Sequence, residues 1–285
     1  MSMEETTDGE TWSNTEVTSG TGNITISNTV RAVSKPSQYA WNWINISNCF
    51  NNSMNYSNLQ LTGSKSHLMK NSEWGAIAYL TQSKYGRNEN EIGINGYNKD
   101  TTNYAKITGM GGSSINNKYN TEYGMNASTT GNIYGIYDLS GGNWEYIATL
   151  YSKYTNGNGS ALYTHTANEK YAKDIENSQL PANSSKYVTI YPIDATVGEK
   201  DGTMSFHFFK WNEIYGDAIF ETASQPGNKK GWFENEADGD SAENQPFCTR
   251  GGWYNNTVSG LFSFGDSEGS TAYNSHCYRI VLICE

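Results

Sequence analysis

The residues best able to do chemistry in this 285-residue chain are its four cysteines and four histidines. Metal centres and nucleophilic sites usually place such residues at short fixed spacings, for example two histidines on one helix face. No such spacing occurs among Cys49, Cys248, Cys277, Cys284, His67, His165, His207 and His276. Buried, unreactive side chains are the simpler interpretation of the cysteines. If the protein is exported, a disulfide from Cys248 to Cys277 or Cys284 stays open.

Two other segments could in principle bind ions. Residues 109–114, GMGGSS, lack the following Lys and the strand-to-helix setting of a phosphate-binding loop. Residues 234–244, ENEADGDSAEN, offer the carboxylates of Asp238 and Asp240, but lack the ligand alternation and final Glu of a calcium loop. We therefore interpret both segments as loops, the second of them acidic and solvated.

The composition excludes several classes of function. A net charge of −10 opposes binding to nucleic acid or to an anionic membrane, since both require a basic face. The sequence contains no run of about 18 apolar residues, the length that a helix needs to span a bilayer. The opening residues MSMEETTDGETW lack the basic and apolar regions of a secretory signal. The protein is therefore expected either to be cytosolic or to have its targeting segment outside this chain.

The chain is expected to fold as one domain after a loose start. Charged residues make up 17% of it and aromatic residues 13%, which predicts packed structure with long polar loops rather than disorder. Residues 1–22 are acidic and hydroxyl-rich, and are expected to form a loose terminal segment. Residues 23–285 contain no periodic repeat and no clear linker, so they are predicted to form a single domain.

Two helices are predicted early in the chain, after a strand within residues 23–33. The first follows Pro36 with Ser37 as its N-cap. The second starts at Ser72 and ends at Gly86, a left-handed C-cap. Their apolar positions at helical spacing are Tyr39, Trp43, Ile46 and Phe50, then Trp74, Ile77, Ala78 and Leu80.

Turn residues dominate the remainder of the sequence. Short apolar segments at residues 186–193, 204–209 and 278–283 are typical of strands. Helices followed by short strands and long loops indicate an α+β fold in which the loops determine specificity.

Residues 128–146, STTGNIYGIYDLSGGNWEY, combine large side chains with Gly135, Gly141 and Gly142, which predicts a buried turn where aromatic rings pack on glycine backbone. The carboxylates of Asp138 and Glu145 are expected to accept backbone hydrogen bonds in this turn. The large side chains are Tyr134, Ile136, Leu139, Trp144 and Tyr146.

Two further motifs bracket a segment of different composition. TRGGWY contains Arg250, Gly251 and Gly252, and CYRIVLI contains Arg279. We expect both arginines to anchor the ends of residues 253–276, and both glycines to permit close backbone approach.

Residues 253–276 are rich in Tyr, Ser, Gly and Asn, the mixture that antibody loops use for binding. Trp253, Tyr254 and Tyr273 are expected to contribute most of the binding energy. The predicted outward, ligand-binding set is Trp253, Tyr254, Asn255, Asn256, Ser263, Asp266, Ser267, Glu268, Ser270, Thr271, Tyr273, Asn274, Ser275 and His276.

Apolar residues within the same segment are expected to hold it to the core, with Leu261 and Phe262 pointing inward. An alternative is that the polar positions are ordinary exposed loop residues, and that Trp253 belongs to the core.

These motifs, together with HLMKNSEWGAIAYL at residues 67–80, resemble the C-type lectin-like domain of the formylglycine-generating-enzyme superfamily. The resemblance covers about residues 37–285. The variants KNSEWGA and DLSGGNWEY are similar to bacterial surface and pilin-associated proteins, and residues 253–276 resemble the variable region of diversity-generating retroelement targets. The resemblance implies a C-type lectin-like fold at a bacterial cell surface or pilus, with a protein or glycan ligand bound by a diversified surface.

The same superfamily includes oxidases with a cysteine pair and enzymes that hold iron with three histidines. Cys277 stands where the family usually has Gly, and no Arg-Cys pair precedes it at the expected place. We therefore expect a protein without enzymatic activity; a formylglycine-generating type of oxidase and a purely structural pilus subunit are the alternatives. Family members often bind calcium through an Asn where this chain has Gly142, followed by Asn143. No cofactor is expected, and calcium stays open.

Overall fold

The computed structural model describes residues 1–61, 63–96, 107–112, 114, 116–152, 155–156, 160–161, 187–192, 215–219, 221–223, 230–237, 247–254 and 256–284. Its helices are α1 (Ile46–Leu59), α2 (Asn71–Gln82) and α3 (Glu122–Met125). Its strands are β1 (Ser2–Glu5), β2 (Val30–Val33), β3 (Ser64–Leu68), β4 (Trp144–Tyr146), β5 (Thr149–Ser152), β6 (Thr155–Asn156), β7 (Ser160–Ala161), β8 (Thr189–Pro192), β9 (Phe247–Arg250), β10 (Phe264–Ser267), β11 (His276–Tyr278) and β12 (Ile280–Cys284). The presence of both helices and strands confirms an α+β class.

Residues 2–5 form an ordered strand, so the loose segment that was expected at residues 1–22 does not include them. Strand β1 pairs antiparallel with β2, so the predicted strand at residues 23–33 forms only over its last four residues. Met3 and Glu4 are both 2% exposed. The Glu4 carboxylate accepts from Arg31 Nη2 at 2.6 Å and from Lys35 Nζ at 2.7 Å. One of the acidic residues of this segment is therefore a buried carboxylate with two cationic partners.

Helix α1 starts later than predicted, at Ile46 instead of after Ser37. Ser37 and Trp43 have left-handed backbone, with φ of 59° and 55°, which a right-handed helix does not allow. Asn45 is the N-cap, because its side chain accepts from Asn48 N at 2.9 Å. Residues 37–44 are consequently a connection that leads into the helix.

Helix α2 is found close to its predicted position, with different ends. Lys70 is the N-cap, and Glu73 Oε2 accepts from Lys70 N at 2.9 Å; the predicted cap Ser72 is exposed within the first turn. Trp74 is buried as expected, but Leu80 is 59% exposed. The helix ends before Gly86, whose backbone is not left-handed.

The largest sheet has the strand order β10-β9-β4-β11. The first two pairs are antiparallel, and β4 pairs with β11 in parallel, with Glu145 opposite Cys277. Strand β12 pairs antiparallel with β3, the strand before α2. The predicted strand at residues 278–283 is thus divided between two sheets. Residues 204–209, predicted as another strand, lie outside the described residues.

Two hydrophobic clusters lie around these sheets. One joins α1 to the strands through Trp41, Cys49 and Tyr278. The other packs Trp74 of α2 against Leu261 and Phe262. The predicted inward orientation of those last two residues is confirmed, since both are fully buried. Among the described residues, no helix is both long and apolar enough to cross a bilayer.

Candidate ligand-binding surface

Arg250, the last residue of β9, is fully buried at the start of the predicted surface. Its guanidinium donates to the carbonyl oxygens of Asp217 at 3.3 Å and Ala218 at 3.1 Å. The same group lies 5.5 Å from the ring centroid of Trp74 and 5.9 Å from that of Phe264. Arg250 therefore connects β9, β10 and α2. The hydrogen bonds of its guanidinium to main-chain carbonyl oxygens fit the predicted role as an anchor.

Gly251 and Gly252 follow with φ of 87° and 76°, in the left-handed region that favours glycine. A Cβ atom on Gly252 would lie 2.2 Å from Ser259 Oγ, and one on Gly251 would lie 3.1 Å from Leu139 O. Gly251 O also accepts from Gly141 N at 2.8 Å. The turn after β9 is thus packed directly against the motif at residues 128–146.

Arg279 lies at the other end of the segment and pairs with Glu145 of β4. Its Nη2 atom is 2.6 Å from Glu145 Oε1, and its Nε atom is 2.9 Å from Glu145 Oε2. Nη2 also donates to Tyr137 O at 3.0 Å. Glu145 was expected to accept backbone hydrogen bonds; the carboxylate binds the guanidinium instead, because β4 and β11 lie side by side.

The motif at residues 128–146 is only partly the buried turn that its composition predicts. Asp138 accepts from Gly109 N at 2.9 and 3.0 Å, as expected, and burial raises the pKa of its carboxyl group. Leu139 and Tyr146 are fully buried, and Trp144 is half-buried on β4. The prediction of burial is wrong for the other two, since Tyr134 is 88% exposed and Ile136 is 38% exposed.

Residues 253–276 are not one loop, because β10 lies in their middle and pairs with β9. Ser263 and Ser267, both predicted to face outward, are 0% and 4% exposed. Ser267 Oγ lies 3.2 Å from Tyr146 OH, and Ser263 Oγ donates to Val258 O at 3.2 Å. These two serines belong to the interior and are removed from the candidate surface.

The remaining positions that were predicted to face outward differ in their solvent exposure. Thr271, Tyr273 and Asn274 are exposed. Asn255 lies outside the described residues. The half-buried positions are Trp253, Tyr254, Asn256, Asp266, Glu268, Ser270, Ser275 and His276. The half-buried state of Trp253 leaves part of its ring available for contact.

Backbone hydrogen bonds hold the beginning and the end of residues 253–276 beside each other at the start of β4. Tyr254 N donates to Gly142 O at 3.0 Å, and Trp144 N donates to Ser275 O at 2.8 Å. Gly142 and Trp144 are two residues apart, so the segments around Tyr254 and Ser275 flank the same short stretch of chain. We call this candidate surface, formed by the outward positions of residues 253–276, the bracketed surface.

Aromatic side chains are paired within the bracketed surface. The rings of Trp253 and Tyr254 meet edge to face at 5.5 Å, and those of Tyr273 and His276 lie 5.1 Å apart. Tyr273 OH donates to Glu268 Oε1 at 2.9 Å. Burial lowers the pKa of His276 to about 4, so its imidazole is neutral at pH 7. The surface therefore offers ring faces, hydroxyl groups and amides rather than positive charge.

The cysteine thiols are poorly placed for nucleophilic chemistry. Cys49, Cys248 and Cys277 are buried as thiols, so no disulfide joins Cys248 to Cys277, and the side chain of Cys284 lies outside the described residues. Burial raises the pKa of Cys277 to about 12, which keeps this thiol protonated at neutral pH. His67 Nε2 is bound to Glu73 Oε1 at 2.8 Å, while His165 and His207 lie outside the described residues.

A metal centre requires several ligating side chains around one point. Within the described ranges, no group of three or more His, Cys, Asp and Glu side chains could hold a metal ion. Asp238 and Asp240 of the acidic loop lie outside those ranges. The amide oxygens of Asn95 and Asn143 are buried without a hydrogen-bond partner, and oxygens of this kind can bind Ca²⁺. Calcium binding stays a prediction.

A cleft of about 590 Å³ lies apart from the bracketed surface. Its lining includes Tyr137, Asp138, Glu145 and Arg279, but no described residue of 253–276. The cleft therefore does not form part of the candidate surface, although it is also lined by Gly142, whose carbonyl accepts from Tyr254 N.

One further segment adjoins the bracketed surface and was not identified from the sequence. Residues 230–237 lie against residues 256–264 and expose Trp232 and Phe233. The sequence indicated this segment only by the aromatic pair Trp232 and Phe233 directly before the acidic loop. We had considered only the carboxylates of that loop.

Comparison of the sequence with protein-family models and with curated proteins finds no match in either. The superfamily resemblance consequently stays a prediction based on the three motifs.

Proposed function

We propose that this chain is a non-enzymatic binding protein with a C-type lectin-like fold, which binds a protein or glycan ligand through the bracketed surface. Residues 253–276 would be the variable region of a diversity-generating retroelement target. The protein would be displayed on a bacterial cell or pilus and act as an adhesin.

The observation that carries this proposal is how the segment is held. Several of its fixed points are backbone atoms: Trp43 N donates to Tyr273 O at 2.8 Å, in addition to the bonds at Tyr254 and Ser275. Leu261 and Phe262 are fully buried. Exposed side chains such as Thr271 and Asn274 can therefore change while the backbone keeps its position, which is what a diversified surface requires.

The binding test replaces Trp253, Tyr254 and Tyr273 together by Ala. If even one of the three contributes about 2 kcal/mol, affinity for cells or for an arrayed glycan falls at least about thirtyfold. Tyr134→Ala is the matched control, since Tyr134 is 88% exposed and lies outside the bracketed surface. Thermal unfolding checks that each variant is folded.

Attachment by the folded triple variant at the wild-type level would rule out the bracketed surface and favour a purely structural pilus subunit. Diversification is tested separately in the neighbouring genomic DNA. A reverse transcriptase gene beside a near copy of the 253–276 coding sequence, differing at adenines, is the expected finding.

A further inference from the structure

Residues 230–237 form a second segment along the bracketed surface, outside the two arginines that delimit it. Glu236 N donates to Val258 O at 2.7 Å, and Phe264 N donates to Glu236 O at 3.0 Å. Phe262 N donates to Asn235 Oδ1 at 2.9 Å. Hydrogen bonds to three positions of 253–276 fix the two segments side by side.

Two aromatic residues of this segment, Trp232 and Phe233, are partly exposed to solvent. Trp232 lies 5.2 Å and Phe233 lies 5.9 Å from the ring of Phe262, measured between centroids. Phe262 is fully buried beneath them, whereas Trp232 is 44% exposed and Phe233 is 42% exposed. Tyr79 of α2 meets Trp232 at 6.2 Å. The outer faces of Trp232 and Phe233 thus form an aromatic platform on top of the core.

The backbone that presents this platform is in an unfavourable conformation. Phe233 and Glu234 are consecutive non-glycine residues with φ of 59° and 62°. Left-handed backbone at such residues is costly and persists where surrounding contacts enforce it, often at ligand sites. Asn235, which is 2% exposed, supplies those contacts by binding Glu91 and the Phe233 carbonyl through Nδ2.

We propose that Trp232 and Phe233 are a constant aromatic part of the ligand-binding surface and receive an apolar segment of a protein partner. This inference rests on the proposed binding function of residues 253–276. The platform lies outside the bracket, so it keeps the same contacts while the neighbouring side chains vary. Exposed Trp and Phe rings beside a polar rim are the arrangement that supplies hot spots in protein interfaces.

The polar groups that the structure describes next to the platform favour a protein over a glycan. Sugar recognition requires hydrogen-bonding groups directed at hydroxyls beside the ring face. Lys230 and Glu234 are instead paired with each other, and the Asn235 amide already binds Glu91 and Phe262. Phe233 adds apolar area without any polar atom. An apolar side chain on a protein segment matches these rings better than a hydroxylated sugar does.

A phage-displayed library of random twelve-residue peptides, selected on the wild-type protein, provides the probe. We expect the enriched peptides to contain Leu, Ile, Phe or Trp, and to bind Trp232→Ala/Phe233→Ala at least tenfold more weakly than wild type. Leu80→Ala is the matched control, since Leu80 is a large apolar residue that is 59% exposed on α2. It should bind as wild type does.

Hydrogen exchange on the wild-type protein provides a measurement that does not depend on the variants folding. Bound peptide should slow exchange at the amides of residues 230–237. Unchanged exchange there, full binding by the folded double variant, or binding of arrayed glycans by the platform would each overturn the inference.

The Trp253/Tyr254/Tyr273 triple variant separates the two proposals. Loss of binding in the triple variant alone leaves the proposed function in place and removes the aromatic platform. Loss in the double variant alone would mean that Trp232 and Phe233 bind without residues 253–276, which removes the bracketed surface and overturns the assignment of the platform to it. Loss in neither variant removes both.

Discussion

The ion pair between Glu145 and Arg279 holds the carboxyl-terminal end of residues 253–276 to strand β4. Glu145 is 2% exposed, and replacing it with Gln leaves the guanidinium without its counter-charge. Removing one member of a buried ion pair typically costs about 3–5 kcal/mol, so we expect Glu145→Gln to lower the free energy of unfolding by about 3 kcal/mol in urea titrations.

Lys230→Met is the comparison, because it breaks an ion pair whose two side chains are 48% and 72% exposed. It should change the same free energy by less than about 1 kcal/mol. Equal losses in the two variants would contradict the structural role given to Glu145.

Glu91 is expected to make stability depend on pH. Burial raises the pKa of its carboxyl group from 4.5 to about 7, so the folded protein holds a proton that the unfolded chain releases. This contribution is fully present below pH 4.5 and is lost as the pH rises through 7. In Glu91→Gln, the free energy of unfolding should fall less between pH 5 and pH 8 than in the wild type.

The difference between Glu91→Gln and wild type is the quantity to measure, because His276 has the opposite effect. Burial lowers its pKa from 6.5 to about 4, so its contribution is present above pH 6.5 and is lost as the pH falls through 4. Parallel stability curves for Glu91→Gln and wild type would show that Glu91 does not titrate in this range.

The turn after β9 is the element that sets the path into the bracketed surface. We expect Gly252→Ala to destabilise the protein by at least about 2 kcal/mol, because the new Cβ meets Ser259 and the backbone is left-handed. Gly9→Ala is the control: Gly9 has φ of 78°, and its added Cβ would meet nothing within 4 Å. That change should cost only about 1 kcal/mol, and a similar loss in both variants would exclude a close-packed turn.

The helices show which elements local sequence can predict. The position of helix α2 could be predicted because the helix buries one face, and the apolar residues of that face recur at helical spacing in the local sequence. The start of α1 was missed because the preceding residues are held by distant parts of the chain: Trp41 Nε1 donates to Gly22 O at 2.8 Å, and Trp43 N donates to Tyr273 O at 2.8 Å. Neither contact leaves a pattern in the local sequence.

The candidate site was predictable in the same limited way. Arg250, Gly252 and Leu261 could be assigned from residue type, since few environments suit a buried Arg, a left-handed turn or an apolar loop residue. Ser263 and Ser267 were misplaced because their burial depends on β10 pairing with β9. The exposure of Trp232 depends on contacts between segments far apart in the chain.

At the scale of the whole molecule, β1 is expected to support the larger hydrophobic cluster. Deleting residues 1–6 removes Met3 from that cluster and leaves Arg31 and Lys35 without the Glu4 carboxylate. We expect the free energy of unfolding to fall by about 3 kcal/mol, measured by urea titration. An unchanged midpoint and slope would restore the original expectation of a loose segment.

The pairing of β11 with β4 and of β12 with β3 has a consequence for protein synthesis. Ile280 lies opposite Leu68, and His276 lies opposite Trp144, so β3 and β4 can pair with β12 and β11 only once the chain has been translated beyond residue 276. A frameshift or stop codon within residues 253–276 removes both closing strands. Such a chain could not complete its sheets and would be open to proteases, so only in-frame changes would yield a folded protein.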